Sequence, residues 1–243
     1  MTGILCIVPT PIGNLEDITI RAIKTLFNVD GIACEDTRKT GLLLRELSRR
    51  YSDLAVTKTG EKSQKLLSLY EENEDQRIPE VIAALKSGLN IALVSDAGTP
   101  TVSDPGFRLV RECVKEGIAI ESLPGPSAVT LALTFSGLPT DKFIFLGYPP
   151  RKGGNRKHFF ENAKASQEKM SSTIILFEAP HRLLKTLPEL IEVFGDIHIV
   201  ICREMTKTFQ EIRREKLSES LAHFNKKPPK GEFVLVLNTH LEE

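Results

Sequence analysis

Short apolar runs alternate with stretches of helical periodicity through the first half of the chain. Ile4-Leu5-Cys6-Ile7, Gly31 to Cys34, Asn90 to Val94 and Ile118 to Leu123 read as strands, most of them buried on both faces; the first is expected to span 3–9. Between them, residues 16–28 place Ile18, Ala22, Ile23, Leu26 and Phe27 on one helical face, and residues 40–48 do the same with Leu43, Leu44 and Leu47. Ile78 to Ser87 reads as a helix closed by Gly88. Asp104 is expected to cap a helix that begins at Pro105 and runs to Lys115, with Gly117 beyond its end. Residues 49–77 are polar and show no clear period. The alternation predicts a parallel sheet covered by helices on both faces.

Pro124-Gly125-Pro126-Ser127 stops the last of these strands and supplies a serine to cap the next helix. It divides the chain into an N-terminal domain, 1–123, and a C-terminal domain, 124–243. The second half reads as a helix over 127–136, a strand over 142–146 and the loop Gly147 to Gly154. Then come a helix near 155–167, a strand over 173–177, a helix over 181–193 and strands over 197–202 and 208–215, with a short helix near 217–224 and a strand over 232–237. The expectation is two α/β domains, the first sheet mainly parallel and the second mixed.

Composition narrows the class without naming a partner. The 243 residues are 41% hydrophobic and 26% charged, as in ordinary globular proteins. The formal net charge is zero, which gives no global signal for nucleic acid or membrane. The halves differ slightly: 15 basic against 18 acidic residues in 1–124, and 17 against 14 in 125–243, so −3 against +3. The second half is therefore favoured to meet an anionic partner. Cys6, Cys34, Cys113 and Cys202 lie in apolar stretches with no C-x-x-C spacing, which reads as buried thiols in a reducing compartment. With no signal-peptide pattern and no long apolar run, a cytoplasmic protein is expected.

Two Gly/Pro-rich loops come directly after apolar strands: Val8-Pro9-Thr10-Pro11-Ile12-Gly13-Asn14 and Ser95 to Gly106. Ligands in open parallel sheets lie beyond the carboxyl ends of strands, and glycine allows backbone to approach them closely. Neither a phosphate-binding loop of the G-x-x-x-x-G-K type nor a G-x-G-x-x-G fingerprint occurs, so a phosphate-free ligand fits better than a nucleotide; a rigid connection is the alternative. Asp96-Ala97-Gly98-Thr99 offers a carboxylate, a glycine and a hydroxyl to a ribose or a cation, unless Asp96 serves only its own turn. In Glu35-Asp36-Thr37-Arg38, strand alternation puts Asp36 and Arg38 on one side, as a pair at a cleft or a surface ion pair. His181 and Arg182 fall in the first turn of a helix, where cations are disfavoured unless an anion docks there or Arg182 pairs with Glu178. Arg203-Glu204-Met205-Thr206-Lys207 brings an acid and two bases to another strand end. Arg151, Lys152, Arg156, Lys157 and His158 flank Gly153-Gly154 and suit a phosphate backbone or a solvated surface.

Taken in order, Thr10 to Leu15, Glu35 to Arg38, Ser95 to Gly106, Pro124 to Ala128, Pro180-His181-Arg182 and Arg203 to Lys207 resemble the ribosomal-RNA branch of the tetrapyrrole-methylase-like class of S-adenosylmethionine-dependent methyltransferases. The resemblance runs from about residue 3 to residue 237. It implies two α/β domains with a cofactor cleft between them, a homodimer, and 2′-O-methylation of a cytidine in the decoding region of 16S ribosomal RNA within the small subunit. It implies S-adenosyl-L-methionine contacts from Pro11, Asp96, Ala97, Gly98, Thr99, Ser103, Ser127, Ala128, Phe177, Glu178, Met205 and Gly231, many through backbone. Asp36, Glu204 and Lys207 are then the expected proton acceptors, and Arg38, Arg151, Lys152, Arg156, Lys157, His181, Arg182 and Arg203 the expected RNA contacts. No metal is required. Tyr70 to Glu74 stands where many relatives carry histidines, so no role of those histidines transfers. The competing readings are methyl transfer to a tetrapyrrole or a protein side chain, and an RNA-binding factor that keeps the fold without the chemistry.

Overall fold

The computed structural model describes residues 2–55 and 64–239, and the chain divides into two compact units, Met1–Ser127 and Ala128–Glu243. In unit 1 the strands are β1 (Ile4–Ile7), β2 (Gly31–Cys34), β3 (Lys65–Ser68), β4 (Ile91–Val94) and β5 (Ala119–Ser122). They form one sheet in the order β3-β2-β4-β1-β5, with every pairing parallel. The helices are α1 (Ile20–Asn28), α2 (Thr37–Arg50), α3 (Glu74–Lys86) and α4 (Phe107–Lys115).

Side-chain alternation sorts each strand between two cores. Cys6, Val8, Ile32, Cys34, Ala92 and Val94 pack with Ala22, Ile23 and Leu26 of α1 and Leu47 of α2. Leu5, Ala33, Ile91 and Leu93 pack with Val81, Ile82 and Leu85 of α3 and Leu109 and Cys113 of α4. The neighbouring strands β1 and β4 therefore lead to helices on opposite faces. That divergence opens a crevice at their carboxyl ends.

Three sequence expectations shift in unit 1. The helix expected over 16–28 starts at Ile20, because Thr19 caps it through Ala22 N at 3.0 Å and a short 3-10 turn, Leu15–Asp17, precedes it. Ile18 remains buried even so. Within 49–77, the strand β3 is hidden from a periodicity argument because Lys65 is exposed at the sheet edge; residues 56–63 lie outside the described residues. Asp104 does not cap α4. Gly106 occupies the cap position at φ +110°, and its N–H donates to Glu74 Oε1 of α3 at 2.8 Å. A Cβ there would meet the Leu93 side chain at 2.7 Å.

The linker Pro124 to Ser127 stays with unit 1 and not with the second half. Thr99 Oγ1 donates to Pro126 O at 2.9 Å, and a Cβ on Gly125 would meet Pro9 Cβ at 2.6 Å.

Unit 2 holds β6 (Phe143–Phe145), β7 (Thr173–Glu178), β8 (His198–Arg203), β9 (Glu211–Lys216) and β10 (Phe233–Leu237), ordered β6-β7-β10-β8-β9. Among these strands only β6 and β7 pair in parallel; the other pairings are antiparallel, so this sheet is mixed. Helix α5 (Ala128–Ser136) covers Ile175, Val200, Cys202, Val234 and Val236. Helices α6 (Gly153–Met170), α7 (Pro180–Phe194) and α8 (Leu217–Lys226) cover Ile174, Leu176, Ile199, Ile201 and Leu235 on the other face. All four cysteines are buried and free. Among the described residues no helix is long and apolar enough to cross a membrane.

The buried carboxylate of Glu74 is the replacement for the missing cap on α4, so its loss leaves the Gly106 N–H without an acceptor. Glu74→Ala is expected to destabilise the fold by about 1–3 kcal/mol. Urea unfolding that gives an unchanged midpoint would show that the cap is dispensable.

Candidate functional site at the strand ends

The two loops singled out by the sequence meet within unit 1. Beyond β1 and β4, Thr10 N donates to Gly98 O at 2.9 Å and Gly98 N donates to Thr10 O at 3.0 Å, an antiparallel bridge between loops whose strands run parallel. Thr10 is buried, and its hydroxyl donates to Ser95 O at 3.1 Å. Gly98 has φ +83°, with Ile12 Cγ2 3.3 Å from where a Cβ would stand. Pro11 and Asp96 to Thr99 are thereby held side by side as a backbone-walled cradle.

A cavity of about 560 Å³ opens beside Asp96, two residues before Gly98, its wall including Glu35, Asp36, Tyr70, Asp96, Ser103 and Asp104. Lys39 reaches Asp96 Oδ2 at 2.6 Å, while Asp96 Oδ1 is buried with no hydrogen-bond partner among the described residues. A buried carboxylate oxygen left unpaired is costly unless something fills its place. Burial and the Asp96 charge raise the pKa of Glu35. Asp104 is pushed up to about 6, chiefly by burial; a hydrogen bond from Ser95 opposes this, and the charges of Glu35 and Asp96 add to it. Asp36 behaves differently. Its carboxylate caps α2 through Arg38 N at 2.8 Å and grips the Arg38 guanidinium at 2.8 and 3.1 Å. Those bonds hold it far below the usual carboxylate range, which makes it a weak base.

Backbone strain marks the same loops. Thr101 and Ser103 have φ +74° and +62°, and in unit 2 Glu204 and Thr206 have φ +51° and +64°. Such conformations persist where surrounding structure overdetermines them, which is common at ligand sites. Here Glu204 is fixed by accepting from Glu232 N at 2.9 Å and from Lys207 Nζ at 3.0 Å. Its side chain lies over Gly231, where a Cβ would come within 2.6 Å of it. Met205 is buried against the α5 core.

Two of the expected proton acceptors in unit 2 are poorly poised for that task. Burial lowers the Lys207 pKa, but its bonds to Glu232 and Glu204 outweigh this and leave it raised, so the amine is an ammonium at neutral pH. Burial raises that of Glu204, yet its hydrogen bonds with Glu232 N and Lys207 outweigh the effect and leave it lowered.

The basic residues also sort unexpectedly. Arg182 is not presented to solvent: its side chain is 12% exposed, faces Glu178 and donates to the carbonyls of Pro149 and Pro150. Arg156 is 5% exposed and makes a two-pronged pair with Glu189. Both lose their expected role as phosphate contacts, because their charges are used inside the unit. Arg203 is held by Glu211 at 2.8 Å and Lys157 by Glu192, whereas Arg151, Lys152 and His181 are exposed. Glu178 is itself buried, accepting from Ala179 N at 2.8 Å and from the Thr186 hydroxyl, and it pairs with Phe233 of β10. Phe177 lies edge-on to both Phe145 and Tyr148. Ser127 and Ala128 fall where α5 begins.

Asp104 is the residue that the sequence undervalues. Its folded pKa near 6 lies above the ordinary aspartate value of 3.8. A raised acid destabilises the native state once pH exceeds the unfolded pKa, with the full cost present above the folded one. Asp104→Asn is therefore expected to raise the melting temperature at pH 8 and to leave it unchanged at pH 3.5. Equal shifts at both pH values would exclude this origin.

Comparison with known proteins agrees with the geometry. Residues 5–220 match the family model described as Tetrapyrrole (Corrin/Porphyrin) Methylases. The chain is 48% identical over 236 residues to the "Ribosomal RNA small subunit methyltransferase I" of Thermotoga maritima, covering 97% of this chain and 98% of that protein. It is 43% identical to the protein of the same name from Halalkalibacterium halodurans, over 99% of this chain and 78% of that one. A solved diphthine synthase shares the fold, with a TM-score of 0.68 at 15% identity, covering 99% of this chain and 92% of that one. With the family model and near-full-length relatives in agreement, the chain belongs to the tetrapyrrole methylase family.

Proposed function

We propose that this protein transfers a methyl group from S-adenosyl-L-methionine to the ribose 2′-oxygen of a cytidine in the decoding region of 16S ribosomal RNA, acting on the small subunit as a cytoplasmic homodimer. The relatives that are similar across nearly the whole chain carry a ribosomal RNA methyltransferase name. The observation that carries the reading is the Thr10–Gly98 bridge beside the unpaired Asp96 Oδ1. That oxygen suits a ribose hydroxyl or a cationic ligand, and the backbone cradle around Gly98 suits a ligand without phosphates.

The donor, when bound, supplies a methyl group already activated on a sulfonium. Asp96 Oδ1 would accept a hydrogen bond from it, Gly98 and Thr99 would pack their backbone against it, and Pro11 would close the cradle. The chain must then align the ribose oxygen and remove its proton. Asp104 does the latter: it lines the cavity shared with Asp96 and Ser103, and its pKa near 6 leaves it ionised yet basic at neutral pH. Lys39, held by Asp96, balances the gathered carboxylates. Arg38, with its guanidinium largely exposed, is available to position RNA phosphate.

Mapping ribose methylation after incubating the protein with unmodified small subunits tests the reaction. Label that passes instead to a porphyrin precursor or a protein side chain would favour a sibling activity, and an absence of donor uptake in calorimetry would leave only an RNA-binding factor. Asp96→Ala is expected to weaken donor binding roughly 10- to 150-fold, the range for a lost charged hydrogen bond. In wild type, kcat/KM should fall as pH drops through about 6. Asp104→Asn should reduce kcat roughly 100-fold or more and abolish that limb, whereas an unchanged profile would assign the proton elsewhere.

A further inference from the structure

The loop between β6 and α6 is held unusually firmly for a loop that exposes an aromatic ring. Gly147 O accepts from Phe177 N at 3.0 Å. Arg182 Nη2 donates to Pro149 O and, at 3.3 Å, to Pro150 O, and Arg156 Nη1 donates to Arg151 O at 3.2 Å. Both arginines are anchored in turn by buried or half-buried carboxylates, Glu178 and Glu189. Pro149 and Pro150 stiffen the loop further by fixing φ. On this frame stands Tyr148, 53% exposed, one side resting edge-on against Phe177 at 5.5 Å between ring centroids. Phe177 is itself braced by Phe145 at 4.8 Å. Exposed Arg151 and Lys152 follow the two prolines in the same loop.

We propose that Tyr148 is a stacking platform for an unpaired nucleobase of the substrate RNA, with Arg182 as the residue that positions it and Arg151 and Lys152 meeting the adjoining phosphates. This rests on the ribosomal RNA reading above. Single-stranded RNA is recognised by stacking its splayed bases on aromatic rings beside basic groups. A ring already held in place loses little freedom on binding. The two arginines thus serve RNA at one remove: they are unavailable to phosphate because they hold the loop that meets it.

The chain contains no tryptophan, so Tyr148→Trp introduces a single indole reporter. Its emission is expected to be quenched on titration with a single-stranded oligocytidine, while an indole placed at Met170, exposed at the far end of α6, is not. With small subunits as substrate, Tyr148→Ala should raise KM roughly 5- to 150-fold, the range for one base stack. Tyr148→Phe should restore it, and donor affinity by calorimetry should stay at the wild-type value. Arg182→Gln should raise the same KM and not be rescued by added salt, with circular dichroism showing the fold intact. An unquenched indole, or a Tyr148→Ala defect confined to donor affinity, would overturn the proposal. A wild-type protein that methylates no subunits would instead overturn the reaction assignment.

Discussion

Two backbone hydrogen bonds, exchanged between Thr10 and Gly98, hold this site together. They exist because β1 and β4 are adjacent in the sheet although far apart in sequence, and because the chain leaves them toward helices on opposite faces. Residues from both loops are thereby fixed chiefly through backbone, with the Thr10 hydroxyl adding one bond to Ser95 O. Gly98 takes part through a positive φ that a larger residue would adopt only at a cost. The bridge uses main-chain groups, so the cradle keeps its shape without drawing on the Asp96 carboxylate, which holds Lys39, or on the Thr99 hydroxyl, which holds Pro126 O.

Around that bridge the protein gathers charge of one sign. Glu35, Asp96 and Asp104 crowd together, burial and mutual repulsion raise the proton affinity of Glu35 and Asp104, and Lys39 stands among them as a counter-charge. Such an arrangement works against folding. It is offset by the two well-packed cores on either side of the sheet, whose members come from the same strands. Unit 2 handles charge differently: Glu178 sits with Thr186 and Arg182, and Arg156 with Glu189, so its buried charges meet charges of opposite sign.

Much of this architecture is legible in the sequence because the central strands of unit 1, β1, β2 and β4, are apolar on both faces and the helices keep their period. The features that escaped it have physical causes. β3 is an edge strand with a lysine at its start, so it lacks the continuous apolar run of its neighbours. The cap on α4 comes from Glu74, about thirty residues upstream (|i−j| = 32), and local capping rules see only Asp104 nearby. That the first loop meets the one carrying Gly98 could be reasoned from loop chemistry, but Asp104's environment depends on three loops at once. Arg156 reads as a surface cation because sequence gives charge and not depth, whereas Arg182 takes the pairing with Glu178 that its helix position allowed. Their partners, Glu189 on α7 and Glu178 at the end of β7, turn both guanidiniums inward.

That inward turn alters how the protein's electrostatics should be counted. Buried guanidiniums release no counterions when a polyanion arrives, so the effective footprint is smaller than the arginine and lysine content suggests. With zero net charge overall, little long-range attraction is left to hold the protein on arbitrary nucleic acid. Charge spent indoors in this way leaves discrimination among polyanions to contour and to the few cations that remain exposed.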